Sequence, residues 1–216
     1  MSCCQSCSLQ GTNDFFSSQS KRYLKTFHKK GLGKEQKYLL EGIATLDIQG
    51  CTALEVGCGV GGLHLTLMQH GVDYATGIDI SEGMIAGARQ LARELGLEKR
   101  VTYHVGDIVN LNEHIREADI VLLDKVVCCY EQVLRLIEVS SKKSVRVFAF
   151  TYPNPNFLVK ISFKGLIALG VLLKWKFRPY WHDWNALLHT LETYGFTQTY
   201  NNSTIMWNIC VMKRVK

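Results

Sequence analysis

From Cys51 onward the chain alternates short apolar runs with longer stretches in which apolar residues recur every three or four positions. CTALEV (51–56), YATGID (74–79), VTYHV (101–105), ADIVLLD (118–124) and SVRVFAFT (144–151) are short, apolar and bounded by glycine or polar residues, and they read as strands. Segments 61–70, 81–95 and 130–139 between them carry helical spacing, the second opened by Ser81 as a cap. Ahead of them, 34–46 is helical through Tyr38, Leu39, Ile43 and Leu46. Residues 1–33 are polar and rich in Ser and Gln up to Ser20, then basic and aromatic, so they read as a loosely held arm followed by a short helix. Past 151 the rhythm changes. Residues 152–181 look inserted, 183–194 is a helix stopped by Gly195, and FTQTYNNSTIMWNICVMK gives two strands with a turn expected at Asn201 and Asn202.

Strand and helix in alternation predict βαβ units. The expected fold is therefore α/β: a Rossmann-like, mostly parallel seven-stranded sheet, with helices on both faces and an antiparallel last strand. It would occupy 34–216 as one domain, with a lid-like helical insertion at about 152–181. The 216 residues, 47% apolar with three prolines, exclude a disordered tail, a collagen or a repeat array. Eight scattered cysteines with no apolar leader point to a reducing cytoplasm rather than a disulfide framework. The run GLIALGVLL (165–173) is too short to span a bilayer. The net charge of +6 lies wholly in the last part: 1–151 balances 17 basic against 17 acidic residues, and 152–216 holds 8 against 2. Such a basic half suits nucleic acid, a membrane surface or an anionic small molecule, although a solvated rim of lysines has the same composition.

The most informative stretch is Glu55-Val56-Gly57-Cys58-Gly59-Val60-Gly61-Gly62, placed between a strand and a helix, where glycines let the backbone approach a ligand. Asp79 ends the next strand, where the ribose hydroxyls of a nucleotide-like ligand would lie. Both a nicotinamide enzyme and an S-adenosylmethionine enzyme fit that much. Glu55 separates them, because an anion beside the glycine turn would repel a pyrophosphate and attract an ammonium and a sulfonium. Asp107, in Gly106-Asp107-Ile108 after the third strand, could accept from an adenine amino group while Ile108 packs on the ring.

ExGxGxG at 55–61, GID at 77–79, GDI at 106–108 and the acid of DIVLLD (119–124) resemble the class I S-adenosylmethionine-dependent methyltransferases over about 35–213. More loosely, Arg22-Tyr23, Lys29-Lys30-Gly31, LLDKVVCCY (122–130) and FTYPNPNF (150–157) are similar to the branch grouped with magnesium-protoporphyrin O-methyltransferases. The resemblance implies S-adenosylmethionine as cofactor, held by Tyr23, Glu55, Gly57, Cys58, Gly59, Asp79, Ile80, Met84, Asp107, Ile108, Leu123 and Asp124. It further implies that Leu123, Asp124 and Lys125 border both the methionine part of the cofactor and the acceptor.

The acceptor should meet residues after the fourth and fifth strands: Cys128, Cys129, Tyr130, Tyr152 and Asn154. Tyr130 and Tyr152 are candidates to bond an acceptor oxygen, or else ordinary half-buried tyrosines; the cysteine pair reads as core filling. Methyltransferases that act on the amino groups of nucleobases resemble one another in a [DNS]-P-P-[YF] turn, and here Asp124-Lys125-Val126-Val127 stands instead. No nucleic-acid partner is therefore expected. Residues 157–178 combine helical apolar spacing with Lys160, Lys164, Lys174, Lys176 and Arg178. They could form a lid over an apolar acceptor whose acid group meets Arg178 or His182, a helix resting on an anionic membrane, or simply a packed surface helix. His182 is the candidate general base, or else caps the helix after it. Cys3, Cys4 and Cys7 supply three soft ligands without a fourth at ordinary spacing, so no metal is expected at that terminus.

The expected activity is transfer of a methyl group to a small molecule, at oxygen first, then sulfur or nitrogen. The alternatives are an NAD(P)-dependent oxidoreductase, and a methyltransferase acting on a thiol or metalloid.

Overall fold

The computed structural model describes residues 3–175, 177 and 179–215, with side chains from Gln10 onward. The elements run α1 (Cys3–Lys30), α2 (Lys34–Ala44), β1 (Thr52–Val56), α3 (Gly62–Gln69), β2 (Tyr74–Asp79), α4 (Glu82–Glu94), β3 (Val101–Val105), α5 (Ile108–Leu111), β4 (Ala118–Leu123), α6 (Val133–Lys142), β5 (Ser144–Pro153), α7 (Phe157–Leu172), α8 (Trp184–Thr193), β6 (Phe196–Ser203) and β7 (Trp207–Arg214). One seven-stranded sheet has the order β3-β2-β1-β4-β5-β7-β6. Strands β1 to β5 are parallel, and β7 runs antiparallel to both β5 and β6, as the pattern predicts.

The central strands are buried on both faces, which is why β1 and β4 read as unbroken apolar runs. Leu39, Ile43, Leu63 and Leu67 fill one face, and Leu136, Ile137, Leu187 and Leu191 the other, against Phe148 and Phe150. The chain leaves β1 toward β2 and β3 on one side, then returns to β4 on the other. That reversal opens a crevice at the carboxyl ends of β1 and β4, where an open α/β sheet binds its ligands.

Three elements differ from the sequence pattern. The stretch read as an arm and a short helix is a single helix of 28 residues lying against α4. Its polar residues do tertiary work: Asn13 Oδ1 accepts from Glu82 N at 3.2 Å, and Ser17 Oγ accepts from Gly83 N at 3.1 Å, satisfying the open first turn of α4. A Cβ at Gly83 would lie 2.8 Å from Ser17 Cα, so that glycine is what lets the helices approach. The third helix in the sheet region begins at Val133, after a 3-10 turn over 127–129. Asn201 and Asn202 sit inside β6, paired with Cys210 and Ile209, and the chain reverses over 204–206 instead. The side chains of Cys3, Cys4 and Cys7 lie outside the described residues, as does Arg178.

Candidate functional site

A cavity of about 670 Å³ opens at the carboxyl ends of β1, β2 and β4 and is roofed by α1. Every residue expected to bind the cofactor is on its wall except Leu123, which is wholly buried in the core beneath. Tyr130 is on the wall too. Tyr152 and His182 are not: Tyr152 stacks on Phe150 at 5.6 Å and meets Trp184 at 5.8 Å, within an aromatic cluster behind the cavity. Asn154 is also off the wall and ties α7 to the β6–β7 turn through Thr204 O.

The floor is the turn from β1 into α3. Gly57, Gly59 and Gly61 have φ of 67, 54 and 83°, values that side chains with a Cβ rarely adopt. A Cβ at Gly57 would collide with Val126, whereas Gly59 has open space in front of it and presents bare backbone to the cavity. Asp79 braces this turn, its Oδ2 accepting from Gly59 N and its Oδ1 from Ser81 N, both at 2.8 Å. Ser81 in turn caps α4, accepting from Met84 N at 3.1 Å.

Glu55 is buried one position before the end of β1, and its Oε2 is engaged from behind. It accepts from His64 N at 3.2 Å and pairs with His64 Nδ1, while His64 Nε2 meets the Tyr103 hydroxyl at 2.9 Å. Sequence reasoning missed this Glu55–His64–Tyr103 chain. The only signal for it was a histidine in the first turn of α3 on the side facing the sheet.

A third carboxylate, the half-buried Asp124, accepts from Thr151 Oγ1 at 2.9 Å. Burial pushes all three acids upward, Asp79 to about 6, and each feels a like charge nearby: Asp124 raises Glu55, Glu55 raises Asp79, and Glu35 raises Asp124. The backbone N–H groups of Gly59 and Ser81 oppose the rise at Asp79, and the His64 hydrogen bond opposes it at Glu55. A cavity floor lined by carboxylates favours a cation and disfavours a diphosphate. These residues fit a sulfonium nucleoside, with Gly59 offering backbone room and Asp79 and Asp107 offering acceptor oxygens.

On the acceptor side, the Tyr130 hydroxyl donates to Asp107 Oδ2 at 2.7 Å, and burial followed by that bond raises its pKa. Asp107 Oδ1 accepts from Val109 N at 3.0 Å and caps α5. Lys125 Nζ pairs with Glu35 Oε2 at 3.1 Å; burial would lower it, but Asp124 and Glu35 outweigh that and keep it charged. Its backbone has φ 59°, unusual for a residue with a side chain. Cys129 is on the wall, its thiol pushed up by the Cys128 thiol and by burial, which argues against a nucleophile. His182 Nε2 meets the Tyr130 carbonyl at 2.9 Å, and so donates to it. Burial lowers His182, leaving the ring neutral near pH 7 with its Nε2 proton committed to the loop that carries Tyr130. The cap of α8 is Asp183, whose Oδ1 accepts from Asn185 N and Ala186 N.

The insertion forms α7, which does not line the cavity, but the segment beyond it reaches α1: Phe177 lies 5.1 Å from both Phe15 and Phe16, and Phe16 is on the cavity wall.

Comparison with known proteins accords with this site. The chain belongs to the methyltransferase domain family, whose model matches residues 48–178. S-adenosylmethionine is the methyl donor of that family, the cofactor expected here. A norajmaline N-methyltransferase of Rauvolfia serpentina is 37% identical over 82 residues, which cover 37% of this chain and 26% of that protein. The chain thus spans about a quarter of that curated relative. Among solved structures, magnesium protoporphyrin IX methyltransferase from Synechocystis PCC 6803 with bound SAH superposes with a TM-score of 0.71 at 23% identity, over 94% of this chain and 98% of that one. A putative sarcosine dimethylglycine methyltransferase from Galdieria sulphuraria gives 0.70 at 12% identity, over 91% and 98%.

Proposed function

We propose that the chain transfers the methyl group of S-adenosylmethionine to a small-molecule acceptor, at an oxygen before a sulfur or nitrogen, in the cytoplasm. One observation carries the reading: three carboxylates, Glu55 and Asp79 buried and Asp124 half-buried, ring a glycine turn with open backbone at Gly59. When bound there, the donor supplies a methyl group already activated by its positive sulfur. Asp79 and Asp107 would hold its nucleoside end, Glu55 and Asp124 would hold its cationic groups, and Tyr23 would cover it from α1.

What the chain's own side chains can do narrows the acceptor. The Tyr130 hydroxyl is committed to Asp107 and held protonated, and His182 is off the cavity wall, so neither is placed to remove a proton. An acceptor that is already anionic needs no base, only alignment. Lys125 holds a cation on the wall where such an acceptor would enter. A carboxylate oxygen on a largely apolar small molecule is accordingly the favoured target. The absence of a proline pair after Asp124 supports a small molecule over a nucleobase. The names of two similar proteins, a magnesium protoporphyrin IX methyltransferase and a norajmaline N-methyltransferase, support a small-molecule acceptor, the second at nitrogen.

Titration calorimetry with S-adenosylhomocysteine and with NADH tests the donor, and methyl-labelled S-adenosylmethionine incubated with panels of carboxylic acids, amines, thiols and arsenite tests the acceptor. Labelled methyl esters are expected. Tight NADH binding with no heat from S-adenosylhomocysteine would establish the oxidoreductase alternative instead; label in a thioether or on arsenic would move the acceptor to sulfur or a metalloid.

A further inference from the structure

Helix α7 breaks the usual rule for a surface helix. Val159, Phe163 and Gly170 face inward, yet on the opposite side Leu158, Ile161 and Leu172 face solvent at 75, 51 and 77% exposure. A helix on a globular surface normally turns polar residues outward. The β6–β7 turn extends the patch: Asn154 N donates to Met206 O at 2.9 Å and Asn156 Nδ2 to Ile205 O, and the Ile205 side chain is 83% exposed. An apolar patch of this kind marks a surface that something covers.

The charge around it says what. Lys160 and Lys164 lie one turn apart along one flank of α7, and Lys174 follows its end. The sequence holds no carboxylate residue between Glu138 and Asp183. A two-fold contact would bring this same patch of both copies together, setting lysines near lysines with no carboxylate from this stretch of sequence to offset them, so a second copy is disfavoured. Apolar side chains flanked by cations on a helix too short to cross a bilayer match the interfacial mode of membrane binding. Among the described residues, no helix is long and apolar enough to span.

We propose that α7 and the β6–β7 turn form a docking face for an anionic lipid surface, with Leu158, Ile161, Leu172 and Ile205 entering the headgroup boundary and Lys160 and Lys164 meeting lipid phosphates. This goes beyond methyl transfer and does not depend on it. Beyond α7, Phe177 packs on Phe15 and Phe16 of α1, and Phe16 is on the cavity wall, so the segment that follows the docking face reaches the cavity.

The test is flotation of the full chain with vesicles of phosphatidylcholine, alone or mixed with phosphatidylglycerol, at low and high salt. Binding is expected with the anionic vesicles, weakened by salt. Lys160→Glu and Lys164→Glu should each weaken it by at least about fivefold, as expected for losing one juxtamembrane cation. Leu158→Glu and Ile161→Glu, at exposed positions, should abolish it while leaving the thermal unfolding and S-adenosylhomocysteine binding of the protein unchanged. No binding to anionic vesicles would overturn the proposal, as would binding indifferent to all four substitutions. So would a dimer in sedimentation equilibrium that Leu158→Glu converts to monomer, which would assign the face to a second copy.

Discussion

Lowering the pH should loosen the grip of the protein on its sulfonium donor, and the structure gives the scale. Asp79 rises from 3.8 to about 6, chiefly because burial strips water from its charge. Holding it ionised in the empty cavity costs about 3 kcal/mol. Since the folded value lies above the unfolded one, the group favours the fold below about pH 4, and that contribution is lost as pH rises through about 6. Near neutral pH the empty protein therefore carries the cost, and hydroxyl groups of the donor's nucleoside end, donating to the ionised Asp79, relieve it. Donor affinity should be greatest above pH 7 and fall below about pH 6, by up to about tenfold per unit, with about three-quarters of a proton released on binding at about pH 5.5. S-adenosylhomocysteine, which has the same nucleoside end, should show the same fall. Calorimetry in buffers of different ionisation heat counts the protons directly. Asp79→Asn should bind more weakly at neutral pH and lose most of the pH dependence. Donor affinity that is flat between about pH 5 and 7.5, or proton uptake on binding, would refute the electrostatic reasoning.

Other outcomes follow from single contacts. Tyr103→Phe removes the partner of His64 Nε2 in a fully buried site and should destabilise the fold by about 1–3 kcal/mol in urea unfolding, without exposing the cavity. Gly59→Ala places a methyl group in space that is otherwise open at φ 54°; unfolding should shift by only about 1 kcal/mol, while donor binding in a fluorescence titration falls at least tenfold. Tyr130→Phe frees Asp107 Oδ2 and should weaken donor binding severalfold, about 1 kcal/mol for one lost hydrogen bond, with the melting temperature nearly unchanged.

The sheet was legible because its parallel strands, covered on both faces, leave apolar runs that alternate with helical spacing, and because Ser81 and the glycine turn punctuate them. The cavity wall was legible for the same reason: Glu55, Asp79 and Asp107 each lie at or just past a strand end, so their place follows from the strand pattern alone. What escaped was everything supplied by a distant element. Asn13 and Ser17 look like disorder in the sequence because their partners, Glu82 and Gly83, lie more than sixty residues away. Helix propensity alone would not hold such a polar segment; packing against α4 does. Tyr152 and His182 occupy the neighbourhood expected from topology, yet aromatic packing turns one into the cluster and a backbone carbonyl holds the other. Asn201 and Asn202 resemble a turn by residue type, but the strand pairing of Tyr200 to Ser203 with β7 overrides that preference.

Lys125 stands at φ 59°, a geometry that favours a residue without a Cβ by about 1 kcal/mol. Truncating its side chain to alanine keeps that strain, and truncating it to glycine relieves it, so Lys125→Gly should melt higher than Lys125→Ala although both lose the same cation. The gap in melting temperature between the two variants therefore reads the backbone strain alone, because the ion pair with Glu35 is missing from both. One backbone angle can thus be weighed separately from the charge that it carries.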